Sequence, residues 1–207
     1  MISSDRLLGT WFIAVSAIWG EKIRGSLFQP KLKIALGSEI GQYSLQELQT
    51  PAHDTSSGII RQVSARYFHV HVSNLSLFPA AQDVEVQLLS LETRGPDGQR
   101  QPYWSGILPL QWQYGLYQKG RNVGRSTEAL ADLFFVNEDG MLRLLPVLTP
   151  FNLGATMQGE QHFWLTVVAR GQNGTSKPLR LRVDWNGKWE RGDAEMSRHL
   201  RITSEDA

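Results

Sequence analysis

Cysteine is missing from all 207 residues, which excludes disulfide staples, thiolate zinc sites and cysteine nucleophiles. Net charge is nearly missing too. Lys+Arg number 21 and Asp+Glu 20, a formal +1, so binding nucleic acid through bulk charge is disfavoured. The sequences that mark common catalytic centres are absent: there is no Gly-x-Ser-x-Gly elbow, no His-Glu-x-x-His, no Gly-x-Gly-x-x-Gly and no Walker loop. No run reaches the ~20 apolar residues of a full membrane span. What is present is 41% hydrophobic residues at a mean hydropathy of −0.28, enough for one real core and too apolar for disorder.

The apolar residues are unevenly spread. Leu7 to Trp19 is thirteen residues without a charge, and Val15, Trp19, Ile23 and Leu27 carry an apolar stripe onward at helical spacing. This predicts one helix from about Ser4 to about Phe28, ended by Pro30, with Trp11 and Trp19 suited to a membrane interface. A signal peptide is disfavoured because Asp5 precedes Arg6 and no small-residue cleavage site follows. A buried core helix and a membrane anchor remain, and the anchor, spanning or lying in the interface, is the preferred reading. Lys22, Arg24, Lys31 and Lys33 against Glu21 make residues 20–33 locally +3, which by the positive-inside rule puts the body in the cytoplasm, at the inner membrane. The sequons at Asn74 and Asn173 would then carry no sugar.

From Lys31 onward the period changes to two. Lys31–Leu36, Phe68–Ser73, Val84–Leu88 and Leu179–Trp185 alternate, Leu142–Val147 and Phe163–Ala169 are more uniformly apolar, and a last strand covers Leu200–Thr203. Turn chemistry separates them at Gly95–Gly98, Asn137–Gly140, Gln172–Gly174 and Asn186-Gly187, the last read as a tight hairpin joining Trp185 to Trp189. Gln42–Gly58 reads as a loop and Gly192–His199 as a short helix. The expected fold is mainly β, an antiparallel Ig-like β-sandwich over residues 31–207, preceded by the helix within residues 1–30.

Ile18-Trp19-Gly20-Glu21-Lys22-Ile23-Arg24, followed by Leu27-Phe28-Gln29-Pro30-Lys31-Leu32, resembles the start of a group of uncharacterised bacterial proteins. Those have an apolar segment, a basic juxtamembrane stretch with a Phe-x-Pro-Lys-Leu element, and a β-rich domain. Tyr67–Asn74, Ala80–Leu88 and Trp185–Trp189 are similar as well. The resemblance implies the anchor-and-sandwich layout, and an apolar segment longer than this one, so that Met1 falls inside it. It implies no catalytic residue.

Two groups of residues carry candidate chemistry. His69 and His71 share one face of a strand, and pairing of Val70 with Val86 would put Glu85 opposite His71; two imidazoles and a carboxylate are a zinc or nickel set, with His53 and Asp54 as further donors. The same alternation also describes a plain solvated face. Lys119, Arg121, Arg125 and Ser126, interleaved with Gly120 and Gly124, form a basic loop able to cradle an anion, or simply a solvated one. Tryptophans on a sugar platform are the weaker reading of Trp185 and Trp189. The functional expectation is a membrane-anchored, non-catalytic module that binds a protein partner, with no cofactor and no nucleic acid. The alternatives are a metal-binding protein or metal-dependent hydrolase at His69/His71, and a soluble β protein with residues 7–28 docked on it.

Overall fold

The computed structural model describes residues 29–50, 59–76, 79–115, 118–125 and 127–205, and the expected helix within residues 1–30 lies outside them. The described residues build two antiparallel sheets. In the first, β1 (Leu32–Leu36), β3 (Ile59–Asn74), β7 (Ala129–Asn137), β8 (Met141–Leu144) and β9 (Thr156–Gln158) lie side by side in that order. β2 (Gln42–Thr50) pairs with the other half of the β3 edge that β1 uses. In the second sheet the order is β13 (Leu200–Glu205), β12 (Leu179–Trp185), β10 (Gln161–Gly171), β4 (Ala81–Arg94), β5 (Arg100–Pro109); β6 (Arg121–Val123) adds to β4 and β11 (Gly174–Thr175) to β10. A single turn of helix, α1 (Asp193–Met196), precedes β13.

Alternation explains the strands. In β12, Leu181, Val183 and Trp185 are fully buried while Arg180, Arg182 and Asp184 point away. Residues of both sheets enter one buried apolar cluster. Phe68 stacks on Phe134 at 4.8 Å within the first sheet, and Phe134 meets Phe163 of the second edge-on at 6.1 Å, both favourable aromatic geometries. Each such fully buried side chain contributes roughly 1.5–3 kcal/mol. Gly41 at φ +76° has to be glycine twice over, because a Cβ there would also strike the Phe68 ring at 2.7 Å.

β3 is the spine. Arg66, Phe68, Val70, Val72 and Asn74 share its inward face, apolar in the middle and polar at both ends. Arg66 is only 1% exposed. Its guanidinium pairs with Asp193 Oδ1 at 2.7 Å and donates to the carbonyls of Ile40, Glu190 and Arg191, so it fastens the loop before α1 over the core. At the other end, buried Asn74 accepts from the backbone amides of Lys31 and Ser76 and donates to the carbonyls of Pro79 and Val123.

Three expectations are corrected. β3 does not pair with β4: its neighbours are β1, β2 and β7, and Val86 lies in the opposite sheet beside Ala169. Gln42–Thr50, expected as loop, is a strand whose nine backbone pairs with β3 compensate for a weak apolar pattern; residues 51–58 lie outside the described part. Asn186-Gly187 turns the chain, with Gly187 at φ +80°, but makes no hairpin to Trp189. The Asn186 amide instead donates to the His199 carbonyl, so the strand returning along β12 is β13.

Replacing Arg66 with alanine uncaps several carbonyls and opens a cavity, and should cost about 2–4 kcal/mol in urea unfolding. Asp193→Ala, at the exposed end of the same pair, should cost far less. Equal losses would show that Arg66 acts only through the ion pair.

Candidate functional site

His69 sits where β3 and β7 slip by one residue. Phe68 pairs with Phe134 but His69 pairs with Asp132, leaving Leu133 as a bulge. The slip brings two outward-facing polar side chains together: His69 Nδ1 lies 2.7 Å from Asp132 Oδ1. His69 is only 9% exposed, and its Nε2 is buried with no hydrogen-bond partner. Tyr67, two residues back on the same face, holds its ring parallel to the imidazole at 8°, centroids 6.5 Å apart. Burial, reinforced by the Asp132 carboxylate, pushes the Tyr67 phenol above its ordinary range against the opposing pull of Arg143, so its hydroxyl keeps its proton and can donate.

These three side chains line a cavity of about 220 Å³. Gln42 and Ser44 of β2 line it too, as do Gln113 and Tyr114 of the segment following β5. That segment crosses between the sheets: Leu110 donates to Val86 of the second sheet, while Gln113 donates to Leu130 of the first. Buried Trp112 anchors it, the Gln113 amide reaches Gln42 Oε1 at 3.3 Å, and Tyr114, 93% exposed, stands at φ +64°. Ser44 pairs with Ala65, four residues from His69 along β3, about 13 Å at the usual strand rise. A Ser44–His69–Asp132 nucleophilic triad therefore does not form.

The residues expected to hold a metal are dispersed. His71, two residues beyond His69 on β3, contacts Glu128 at 3.2 Å, and Glu85 accepts from Gln87 in the other sheet. Among the described residues no group of three His, Asp or Glu side chains is arranged around a metal position, and His53 and Asp54 lie outside the described residues. The basic loop is built into the fold as well. Arg121 belongs to β6, Lys119 accepts from the Trp112 indole through its carbonyl, and Asn122 accepts from the Asp83 amide. Asp83 Oδ1 abuts Gly120, where an anion would have to approach, while Arg125 is exposed and Ser126 lies outside the described residues. Both sequon asparagines are used internally: Asn74 is 2% exposed, and Asn173 bonds Gln82 and Ala80.

A second ionic cluster went unread in the sequence because it exists only through register. On the outer face of the second sheet, His162 stands opposite Asp184 and Trp164 opposite Arg182. His162 contacts Asp184 at 2.8 Å and Glu160 at 2.9 Å; Arg182 Nε reaches Asp184 at 2.7 Å; Arg100 lies 4.5 Å over the Trp164 ring, whose indole donates to Glu205. The hydrogen bond to Asp184, then that to Glu160, holds the imidazole above its ordinary 6.5. For Asp184, burial would raise the carboxyl, but hydrogen bonds from Arg182 and His162 outweigh it and hold it below 3.8. These contacts tie β10 to β12, β5 and β13 across the sheet. No protein-family model matches the chain, and comparison with curated proteins and with solved structures likewise finds no match.

The signs set a pH window. The raised His162 contributes stability that is complete below 6.5 and is lost as pH climbs through its folded value; the lowered Asp184 contributes above 3.8 and loses it in acid. His162→Ala should therefore lower the melting temperature clearly at about pH 5 and much less at about pH 9. An equal drop at both would mean the ring acts by packing alone.

Proposed function

We propose that the chain is a membrane-attached, non-catalytic binding module, held to the cytoplasmic face of the inner membrane by residues 7–28 and presenting its β body to a protein partner. The observation that carries this reading is how tightly the body takes over from that segment. Ser76 Oγ donates to the Gln29 carbonyl at 2.8 Å, the Lys31 amide is held by Asn74 and Ser76, and β1 begins at Leu32. Among the described residues the chain is held from Gln29 onward, so residues 7–28 lead off from the end of the body around Asn74. That end exposes Leu75 together with Lys31 and Arg125, an apolar tip among basic side chains that suits an anionic interface. Among the described residues no helix is long and apolar enough to cross a membrane.

The partner surface is assigned to the edge of β5. Tyr103, Ile107, Leu148 and Phe151 are exposed there, and Gly154 of the same loop lies against the Tyr103 hydroxyl. Pro102 and Pro109 and two bulges interrupt this edge, so strand addition is blocked and recognition falls to side chains. The Ig-like reading of the body is supported in one sheet, where β12, β10, β4 and β5 follow the G-F-C-C′ order. In the other sheet β7, β8 and β9 step outward from β3 in chain order, whereas an Ig sheet places the later strand inside.

Full-length protein should sediment with membranes and resist carbonate extraction. Val15→Glu with Ile18→Lys, each charge costing roughly 2.5–3.5 kcal/mol in a bilayer, should release it folded into the supernatant. Unmodified protein that stays soluble without detergent overturns the membrane reading and leaves the docked-segment alternative.

A further inference from the structure

The cavity over Tyr67, His69 and Asp132 has no part in membrane attachment and none in the β5 edge. We infer that it is a binding site for a small, uncharged, hydroxyl-rich molecule of the sugar or polyol class.

The argument starts from His69. An imidazole that directs Nδ1–H to a carboxylate presents Nε2, in its neutral form, as an acceptor. That nitrogen is unpartnered and covered by its neighbours, and His69 lines the cavity, so a donor reaches Nε2 as the lining side chains part. A buried polar atom left without a partner costs roughly 1–3 kcal/mol, a cost that a donor group entering the cavity removes. The ligand therefore brings a hydrogen-bond donor to Nε2.

The rest of the lining selects its charge. No lysine or arginine is among the described lining residues, and the Asp132 carboxylate is already engaged by His69. An anion would meet no cation in the lining, and an ammonium ion would have to share the one carboxylate with the imidazole. Gln42, Ser44, Gln113 and the Tyr67 hydroxyl offer neutral donors and acceptors on several sides, as a ring of hydroxyls requires. Tyr114 supplies the remaining element. A bulky residue at φ +64° is rare in a protein, and here it leaves an almost fully exposed aromatic side chain lining the cavity, free to turn onto the C–H face of a bound ring.

The test uses full-length protein in lipid nanodiscs, labelled with ¹⁵N-histidine. Glucose, galactose, mannose and myo-inositol are titrated in turn, beside ethylamine and acetate as charged probes. At least one polyol should move the His69 Nε2 resonance saturably, with the charged probes inert. Asp132→Asn, which unfixes the imidazole, should raise Kd about tenfold, the effect of one lost hydrogen bond. Tyr114→Ala should weaken binding at an unchanged melting temperature, which keeps the test decisive if Asp132→Asn misfolds. No saturable shift with any polyol, or a shift with ethylamine or acetate alone, overturns the inference. Neither result bears on the membrane reading, which stands or falls by sedimentation.

Discussion

The inward face of β3 is the constraint on which the rest depends. Phe68, Val70 and Val72 must all point into the core, and the strand beside them must offer apolar residues in the same layer. β7 reads Ala129, Leu130, Ala131, Asp132, Leu133, Phe134. Unbroken pairing from Phe68–Phe134 would set Val70 against Asp132 and turn a carboxylate into the core, where an unpaired charge costs several kcal/mol. Bulging out Leu133 restores Ala131 to the inward layer and sends Asp132 outward to meet His69. The buried imidazole–carboxylate pair thus follows from the same slip that keeps the core dry.

The two polar ends of that face have comparable standing. Arg66 and Asn74 are eight residues apart on one strand, about 26 Å at the usual rise, and each gathers backbone groups that strand pairing leaves unsatisfied. A leucine at either position would fill space but strand several buried carbonyls or amides, the more expensive fault. The difference in their partners is informative. Arg66 ties the late loop before α1 to the turn at Ile40, whereas Asn74 binds together residue 31, Pro79 ahead of β4 and the β6 strand, at the point where the body begins.

How much of this could be read from the residues depends on whether the signal was local. β12 was legible to its ends because Leu181, Val183 and Trp185 alternate with charges, and the short helix before β13 was legible from its composition. β2 was not: Gln42-Tyr43-Ser44-Leu45-Gln46 has little to bury, and its strand character comes from backbone pairing with a partner more than ten residues away. His69 and His71 were rightly placed on one face. Their partners were not, since choosing β7 over β4 is a matter of topology on which alternation is silent. The same limit hid His162 and Asp184, twenty-two residues apart, and it hid Tyr114, whose neighbours in the cavity come from three other strands.

The wall of that cavity shows how function and framework share parts. Residues 110–113 leave the second sheet at Val86 and join the first at Leu130, closing one side of the core with Leu110 and Trp112. Having buried Trp112, the chain must turn at once, and the Trp112–Gly115 hydrogen bond closes that turn with Tyr114 in the left-handed region. A glycine would relax it. Strain of this kind persists only where surrounding structure over-determines it, and the buried indole does so here, with its N–H held by the Lys119 carbonyl. An exposed tyrosine gains nothing for the fold from such a conformation. It lines the same cavity as the unpartnered His69 imidazole, where a bound ligand would give the conformation a use.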